Sequence, residues 1–266
     1  MKNLKLNNGT EIPQIGFGTW LISNDQIYDA FFKAIKAGYT HIDSAQDYGN
    51  EEQLGQAIID SRIPRDKLYI TSKVASHQKT YENARKSIEI SLQKLKTEYI
   101  DLMLIHCPTP WPEYNPRAKT YYKENIEVWK AMEEFVKAGK IKSIGVSNFN
   151  INDIKNILAN CKIKPAVNQI PVFIGNTDLE LIDFCLKNNI QVEAYSPIAH
   201  GRLLENKEVH ELSKKYKCSI AQLCIAYTLQ LGLISLPKSL NYEHMVENLN
   251  INFMISEDDM EYLKKL

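Results

Sequence analysis

Eight short apolar runs rich in Ile, Val and Leu alternate with helical patterns along this chain, and that alternation restricts its fold more than any other feature. The runs are Ile15–Gly18, Thr40–Asp43, Leu68–Ser72, Ile100–Ile105, Ile141–Val146, Pro165–Ile170, Gln191–Tyr195 and Ile234–Pro237. Between them, Ile27, Phe31, Ala34 and Ile35 fall at helical spacing before Gly38, and Ala84, Ile88, Leu92 and Leu95 form one apolar stripe. Glu51–Ser61, Asn125–Ala138, Asn152–Leu158, Asp178–Lys187, Lys207–Lys215 and Ile220–Leu231 also read as helices. Tyr242–Asn248 and Glu257–Leu266 close the chain as helices, the latter with Ser256 as N-cap.

Runs apolar on both faces predict parallel strands covered by helices. Eight β–α units in 266 residues predict an α/β fold of one domain over 1–266, a closed (β/α)8 or TIM barrel with extra helices late in the chain. Leu4-Lys5-Leu6, the turn Asn7-Asn8-Gly9 and Thr10-Glu11-Ile12 predict an N-terminal β-hairpin. An open doubly wound sheet is the rival, but its G-x-G-x-x-G signature is missing. Gly16-Phe17-Gly18-Thr19-Trp20 has two of the glycines and leads into a loop.

Composition narrows the function. Lys plus Arg is 32 and Asp plus Glu is 32, so the balance is neutral, without the basic excess of a phosphate-contacting nucleic-acid binder. No apolar run approaches the ~20 residues of a membrane span, and the polar N-terminus lacks a signal-peptide core. The five cysteines are odd in number, widely spaced and without a C-x-x-C pair, arguing against a disulfide framework or a zinc site. A cytoplasmic, metal-free monomer is expected. The connection from His106 to about Tyr122, with Pro108, Pro110, Pro112 and Pro116, is long enough to be functional.

In a barrel of this kind function gathers where the strands end. Asp43, Lys73 and His106 close or follow three successive runs, and Ser147-Asn148, Asn168-Gln169, Tyr195-Ser196 and Lys238-Ser239 close the later ones. Each residue alone fits a turn, a core or a solvated role. Three ionisable groups converging on one rim from adjacent strands point to chemistry. Tyr48, five residues past Asp43, joins them, its ring fixed by the turn at Gly49 and the helix opened by Glu51-Glu52.

These residues carry a resemblance to the aldo-keto reductase superfamily, in particular its bacterial-type members with a short C-terminus, similar to 2,5-diketo-gluconate reductases. Gly16-Phe17-Gly18-Thr19-Trp20 looks like the family's entry loop, and the stretch from Asp43 through Tyr48-Gly49-Asn50-Glu51 like its aspartate-to-glutamate motif. Ser72-Lys73, Ile105-His106, Gly145-Val146-Ser147-Asn148-Phe149, Asn168-Gln169, Ala194-Tyr195-Ser196-Pro197 and Leu236-Pro237-Lys238-Ser239 follow in family order, almost end to end.

The resemblance implies reversible, NADPH-dependent reduction of aldehydes and ketones by hydride transfer, with Tyr48 giving the proton. A phenol ordinarily titrates near ~10. A neighbouring ammonium lowers that value, which makes Lys73 the activating cation, Asp43 its partner and His106 the group that orients the carbonyl. The resemblance places Gly18, Thr19 and Trp20 beside the cofactor and the nicotinamide against Tyr195. Ser147, Asn148 and Gln169 hold the carboxamide, and the loop Ser196-Pro197-Ile198 to Leu203 crosses the pyrophosphate. Lys238, Ser239, Leu240, Asn241, His244, Glu247 and Asn248 surround the adenosine. NADP-preferring relatives commonly carry arginine where this chain has His244, so some use of NADH is expected. Trp20, Tyr48, His106, Trp111 and Tyr114 line the substrate side. The short C-terminus, and Cys107 where many relatives have tryptophan, suggest an open site. Two other readings stay open: a Schiff-base aldolase using Lys73, and a non-catalytic cofactor-binding protein.

Overall fold

A computed structural model describes residues 2–114 and 119–266, so Pro116 of the long connection lies outside the described residues. The N-terminal strands β1 (Asn3–Lys5) and β2 (Glu11–Pro13) pair antiparallel with Leu4 opposite Ile12. An eight-stranded parallel sheet follows: β3 (Phe17–Gly18), β4 (His41–Asp43), β5 (Tyr69–Val74), β6 (Ile100–Ile105), β7 (Ile141–Ser147), β8 (Val167–Pro171), β9 (Gln191–Tyr195) and β10 (Ile234–Leu236), in sequence order. Its two ends meet. Ile15 bridges Ser235 in parallel, Gly16 N–H donates to Ser235 O at 2.9 Å, and Gly18 N–H donates to Pro237 O at 3.0 Å. That contact turns the sheet into a barrel.

The helices between the strands are α1 (Asn24–Ala37), α2 (Glu51–Asp60), α3 (Tyr81–Lys94), α4 (Tyr122–Lys137), α5 (Ile151–Asn160) and α6 (Leu179–Lys187). The late helices are α7 (Lys207–Lys215), α8 (Ile220–Gln230), α9 (Tyr242–Leu249) and α10 (Glu257–Leu263). The apolar stripe on α3 buries Ala84, Ile88 and Leu92 against the barrel, as its spacing requires. Inside the barrel, Tyr69, Leu102, Leu104, Val167, Ile234 and Leu236 form a second core, and the hairpin adds Leu6 and Ile12 to it. The hairpin therefore plugs one end of the barrel. Asn7 and Asn8 tie it down through Pro165 O, Lys142 O and Ser143 Oγ, all at the starts of β7 and β8, so the opposite rim is left for the site.

The boundaries that differ have physical causes. The sixth barrel strand pairs from Val167 rather than Pro165, a residue with no N–H for the ladder. The third runs on to Val74, which puts Lys73 inside the strand rather than at its end. The last helix stops at Leu263, with Ser256 Oγ capping it through Asp259 N–H at 3.3 Å. Among the described residues four 3-10 turns, Gln46–Tyr48, Arg65–Lys67, Trp111–Glu113 and Ala199–Glu205, carry no sequence periodicity.

Gly55 marks the tightest helix contact. A Cβ there would lie 2.1 Å from Lys94 O and 2.7 Å from the Leu95 carbonyl carbon, both backbone atoms that cannot swing aside. Gly55→Ala is expected to destabilise the protein by about 2 kcal/mol despite alanine's better helix propensity, read as a lower denaturant midpoint at unchanged m.

Candidate active site

Asp43 pairs with Thr71 across β4 and β5, so Lys73, two residues on, shares the face of Asp43. Both side chains point into the barrel and both residues are buried, Lys73 at 0% and Asp43 at 3% exposure. Lys73 Nζ donates to Asp43 Oδ2 at 2.7 Å, Asp43 Oδ1 at 2.9 Å, Ser44 O at 2.9 Å and the Tyr48 hydroxyl at 3.2 Å. Burial pulls the Lys73 ammonium down, but Asp43 and Tyr48 more than offset it, and the net shift is upward. Lys73 thus stays charged at neutral pH. A Schiff-base lysine must be neutral to attack, so the aldolase reading fails on this geometry.

Tyr48 closes the 3-10 turn after Asp43, and Gly49 turns the chain away with φ of 68°. The turn is anchored on each side. Gln46 accepts from Ala75 N–H and donates to Ser87 O and Ser91 Oγ. Asn50 donates to Thr19 O and Ile22 O and accepts from Ser44 Oγ. Glu51 accepts from Ser72 Oγ at 2.6 Å. Most of the motif around Tyr48 therefore builds the cradle and leaves the hydroxyl over Lys73.

The acidity of that hydroxyl corrects the expectation from sequence. Burial pushes the Tyr48 phenol up, Lys73 pulls it back, Asp43 and Asp47 push it up again, and the net shift is upward. The cation limits the rise without reversing it. Tyr48 accordingly holds its proton at neutral pH, the state a proton donor requires.

His106 stands against Tyr48 edge to face, ring centres 5.5 Å apart, and Nδ1 hydrogen-bonds Asp47 Oδ2 at 3.0 Å. Burial draws the imidazole below its ordinary value, and Asp47 only partly counters it. Trp111 packs on His106 at 5.2 Å and Tyr114 on Trp111 at 5.7 Å, continuing an aromatic wall outward. Trp20 meets His200 edge-on at 5.1 Å. Trp20, Trp111 and Tyr114 are 45%, 40% and 46% exposed, so this side is an open aromatic surface. Cys107, next to His106, is wholly buried, and burial pushes its thiol up to about 11.

The next strands bring the remaining rim residues together. Ser147 Oγ donates to Gln169 O at 2.9 Å, Asn148 Nδ2 donates to His106 O at 2.9 Å, and the Tyr195 hydroxyl donates to Asn148 Oδ1 at 2.8 Å. Gln169 Nε2 donates to both Asp43 Oδ1 and Glu193 Oε2, each at 2.8 Å. Glu193 is buried beside the Asp43 charge, and both raise it well above the carboxylate range. It adds no charge below Lys73 at neutral pH. Sequence reading missed Glu193 because it lies within an apolar strand, and missed Asp47 because Tyr48 beside it drew the chemistry.

The other expected positions divide. The Gly18 amide closes the barrel, and buried Thr19 donates its hydroxyl to Asp43 O, so both shape the rim. Pro197 is buried, Ile198 packs on the satellite core around α8, and Leu203 is part of that core. Ser196 has φ of 52°, in the left-handed region, where the chain leaves β9. Lys238 and His244 are exposed and Ser239 is half-buried. Asn241 spends its side chain capping α9 through His244 N–H at 3.1 Å. Leu240 packs on the main core, and Glu247 is half-buried. Asn248 is 2% exposed, with a buried Oδ1 that lacks a partner among the described residues.

A model of the aldo/keto reductase family matches residues 14–266. The chain belongs to the aldo/keto reductase family. It is 38% identical to glyoxal reductase of Bacillus subtilis over 265 residues, covering 99% of this chain and 92% of that protein. The structure of an aldo-keto reductase from a deep-sea metagenome library superposes with a TM-score of 0.91 at 36% identity, covering 98% of this chain and 94% of that one. A Bombyx mori aldo-keto reductase solved in complex with NADP gives a TM-score of 0.89 at 32% identity, covering 99% and 92%. As a member of this family the chain is an oxidoreductase of carbonyl compounds that uses a nicotinamide cofactor.

Proposed function

We propose that this protein reduces small aldehydes and ketones with NADPH, that Tyr48 delivers the proton, and that residues 1–266 form one catalytic domain. The observation that carries the proposal is Lys73 Nζ bound at once to the Asp43 carboxylate and the Tyr48 hydroxyl. When bound, the nicotinamide supplies the hydride to the carbonyl carbon. As negative charge gathers on the carbonyl oxygen, Tyr48 O–H donates to it and then releases its proton, while Lys73 stabilises the phenolate left behind. Asp43 holds Lys73 charged and in place. The aromatic wall orients the carbonyl compound, and His106 hydrogen-bonds its oxygen when Nε2 carries a proton.

The residues present fit the cofactor. Gln169 directs its Nε2 at two carboxyl groups, which leaves Oε1 to accept from a carboxamide N–H. The Tyr195 ring is fixed through its hydroxyl, a firm face for a flat heterocycle. The unpartnered Oδ1 of Asn248 suits the amino group of an adenine. The glyoxal reductase relative and the NADP-bound relative support this substrate class and cofactor. The open aromatic surface supports broad substrate acceptance. A cytoplasmic monomer remains our reading of its setting.

The cofactor preference is tested by Km for NADPH and NADH on one aldehyde. His244, exposed and without arginine's fixed fork, supports a modest preference for NADPH. His244→Arg is expected to raise that preference about tenfold, the worth of one charge-assisted hydrogen bond. A wild-type preference above a thousandfold would refute the reading.

A further inference from the structure

Asp47 stands one residue before Tyr48, and one of its oxygens gathers donors from two other loops of the rim. Asp47 Oδ2 accepts from Ser76 N–H at 3.3 Å, from Trp111 Nε1–H at 3.2 Å, and lies 3.0 Å from His106 Nδ1. The loop after β5 supplies the first donor, and the connection after β6 supplies the other two. We infer that Asp47 is a positioning residue of this active site: it fixes the imidazole of His106 in the Nδ1–H form, so that Nε2 meets the substrate as an acceptor when the ring is neutral and as a donor only when the ring is protonated. The inference deepens the proposed function and rests on its placing of His106 at the substrate carbonyl.

The argument is one of hydrogen-bond capacity. An ionised carboxylate only accepts. Burial pushes Asp47 up, but the hydrogen bond and charge of His106, Ser76 N–H and Trp111 together draw it below the usual carboxylate value, so it is ionised at neutral pH. The nitrogen facing it must therefore carry a proton. A neutral imidazole has one proton, and Nε2 is then bare. The groups acting on the ring come from three elements. Asp47 from the turn and Asp43 from β4 favour its protonation, Lys73 from β5 opposes it, and Tyr48 packs on it as a neutral phenol. Burial outweighs the two carboxylates, so the ring is mostly neutral at pH 7.

A second consequence follows from Trp111. The same carboxylate oxygen holds the indole that forms the next panel of the aromatic wall. Removing Asp47 releases the wall as well as the tautomer, and a loosened wall is read in KM, while the state of His106 is read in the pH dependence of kcat/KM.

The test is 15N NMR of protein with ring-labelled histidine, at pH 8, with the His106 signals identified by their loss in His106→Gln. The wild type should show a protonated Nδ1 and a bare Nε2. Asp47→Asn, which keeps an accepting Oδ1 but no charge, should keep that pattern, whereas Asp47→Leu should invert it. In turnover, kcat/KM for an uncharged aldehyde should rise in the wild type as pH falls through the His106 pKa. That rise should move about one pH unit lower in Asp47→Asn and vanish in Asp47→Leu. A proton on Nε2 in the wild type, or an unchanged pattern in Asp47→Leu, overturns the inference. Failure of the functional reading looks different: Tyr48→Phe would still turn over aldehydes while the nitrogen pattern stood as expected.

Discussion

Tyr48→Phe lowers kcat for aldehyde reduction by about a hundred- to ten-thousand-fold, the range a positioned general acid supplies. The substitution removes one oxygen and leaves the ring that packs on His106 at 5.5 Å. Cofactor binding, followed by protein fluorescence, should therefore change little while turnover collapses. Stopped loss of NADPH absorbance across an aldehyde panel reads the rate, and equal rates in the two proteins would reject Tyr48 as donor. The direction of its titration adds a pH signature. The phenol lies above its ordinary value of 10.0, so the donor form persists across the neutral range. The proton donation by Tyr48 should be lost as pH rises through that raised value. Alcohol oxidation, which needs the phenolate as acceptor, should climb over the same alkaline range.

Lys73→Met has the second large effect, and it acts on stability as well as rate. The ammonium is wholly buried and makes two hydrogen bonds to Asp43, at 2.7 and 2.9 Å. Its removal leaves an uncompensated carboxylate inside the barrel, which costs about 3–5 kcal/mol. Thermal unfolding should fall on the order of 10 °C. The pH dependence has a defined sign. The folded pKa of Lys73 is raised above 10.5, so its contribution is complete below that value and is lost as pH rises through the folded one. The gap between wild type and variant should therefore be constant through the neutral range and close only in alkali. Adding Asp43→Leu to Lys73→Met removes the stranded charge and should restore much of the stability but none of the activity. If the double variant were less stable than the single one, the ion pair would not be the source of the loss.

The two kinds of residue in this site were legible to different degrees. Asp43, Lys73 and His106 could be found from sequence because a parallel strand buried on both faces is a run of apolar residues, and a charge at its end is conspicuous. Glu193 obeys the same rule in reverse. It interrupts an apolar strand, and only the packed barrel places it 2.8 Å from Gln169 and lifts it out of the charged state. The apolar run predicts a strand that ends at Ser72, yet the ladder continues to Val74 because Leu104 and Ile105 on β6 pair with Lys73 and Val74.

Asp47 shows why spacing alone stops short. Its neighbours at the site are 29, 59 and 64 residues away along the chain. No local pattern links a turn residue to a strand end and an indole so distant. Leu203 is a related case, since its place in the chain does not reveal that its side chain is drawn into the core around α8.

The chain by itself determined the eight alternating units, the barrel they close into and the four polar residues that meet at its rim, because burial imposes a periodicity that can be read one segment at a time. The tertiary structure alone decided how Tyr48, Lys73 and His106 titrate. Burial of the Tyr48 phenol outweighs the Lys73 charge, and burial of His106 outweighs Asp47. The balance between desolvation and a neighbouring charge depends on distances and on excluded water, and neither exists until distant segments have packed together.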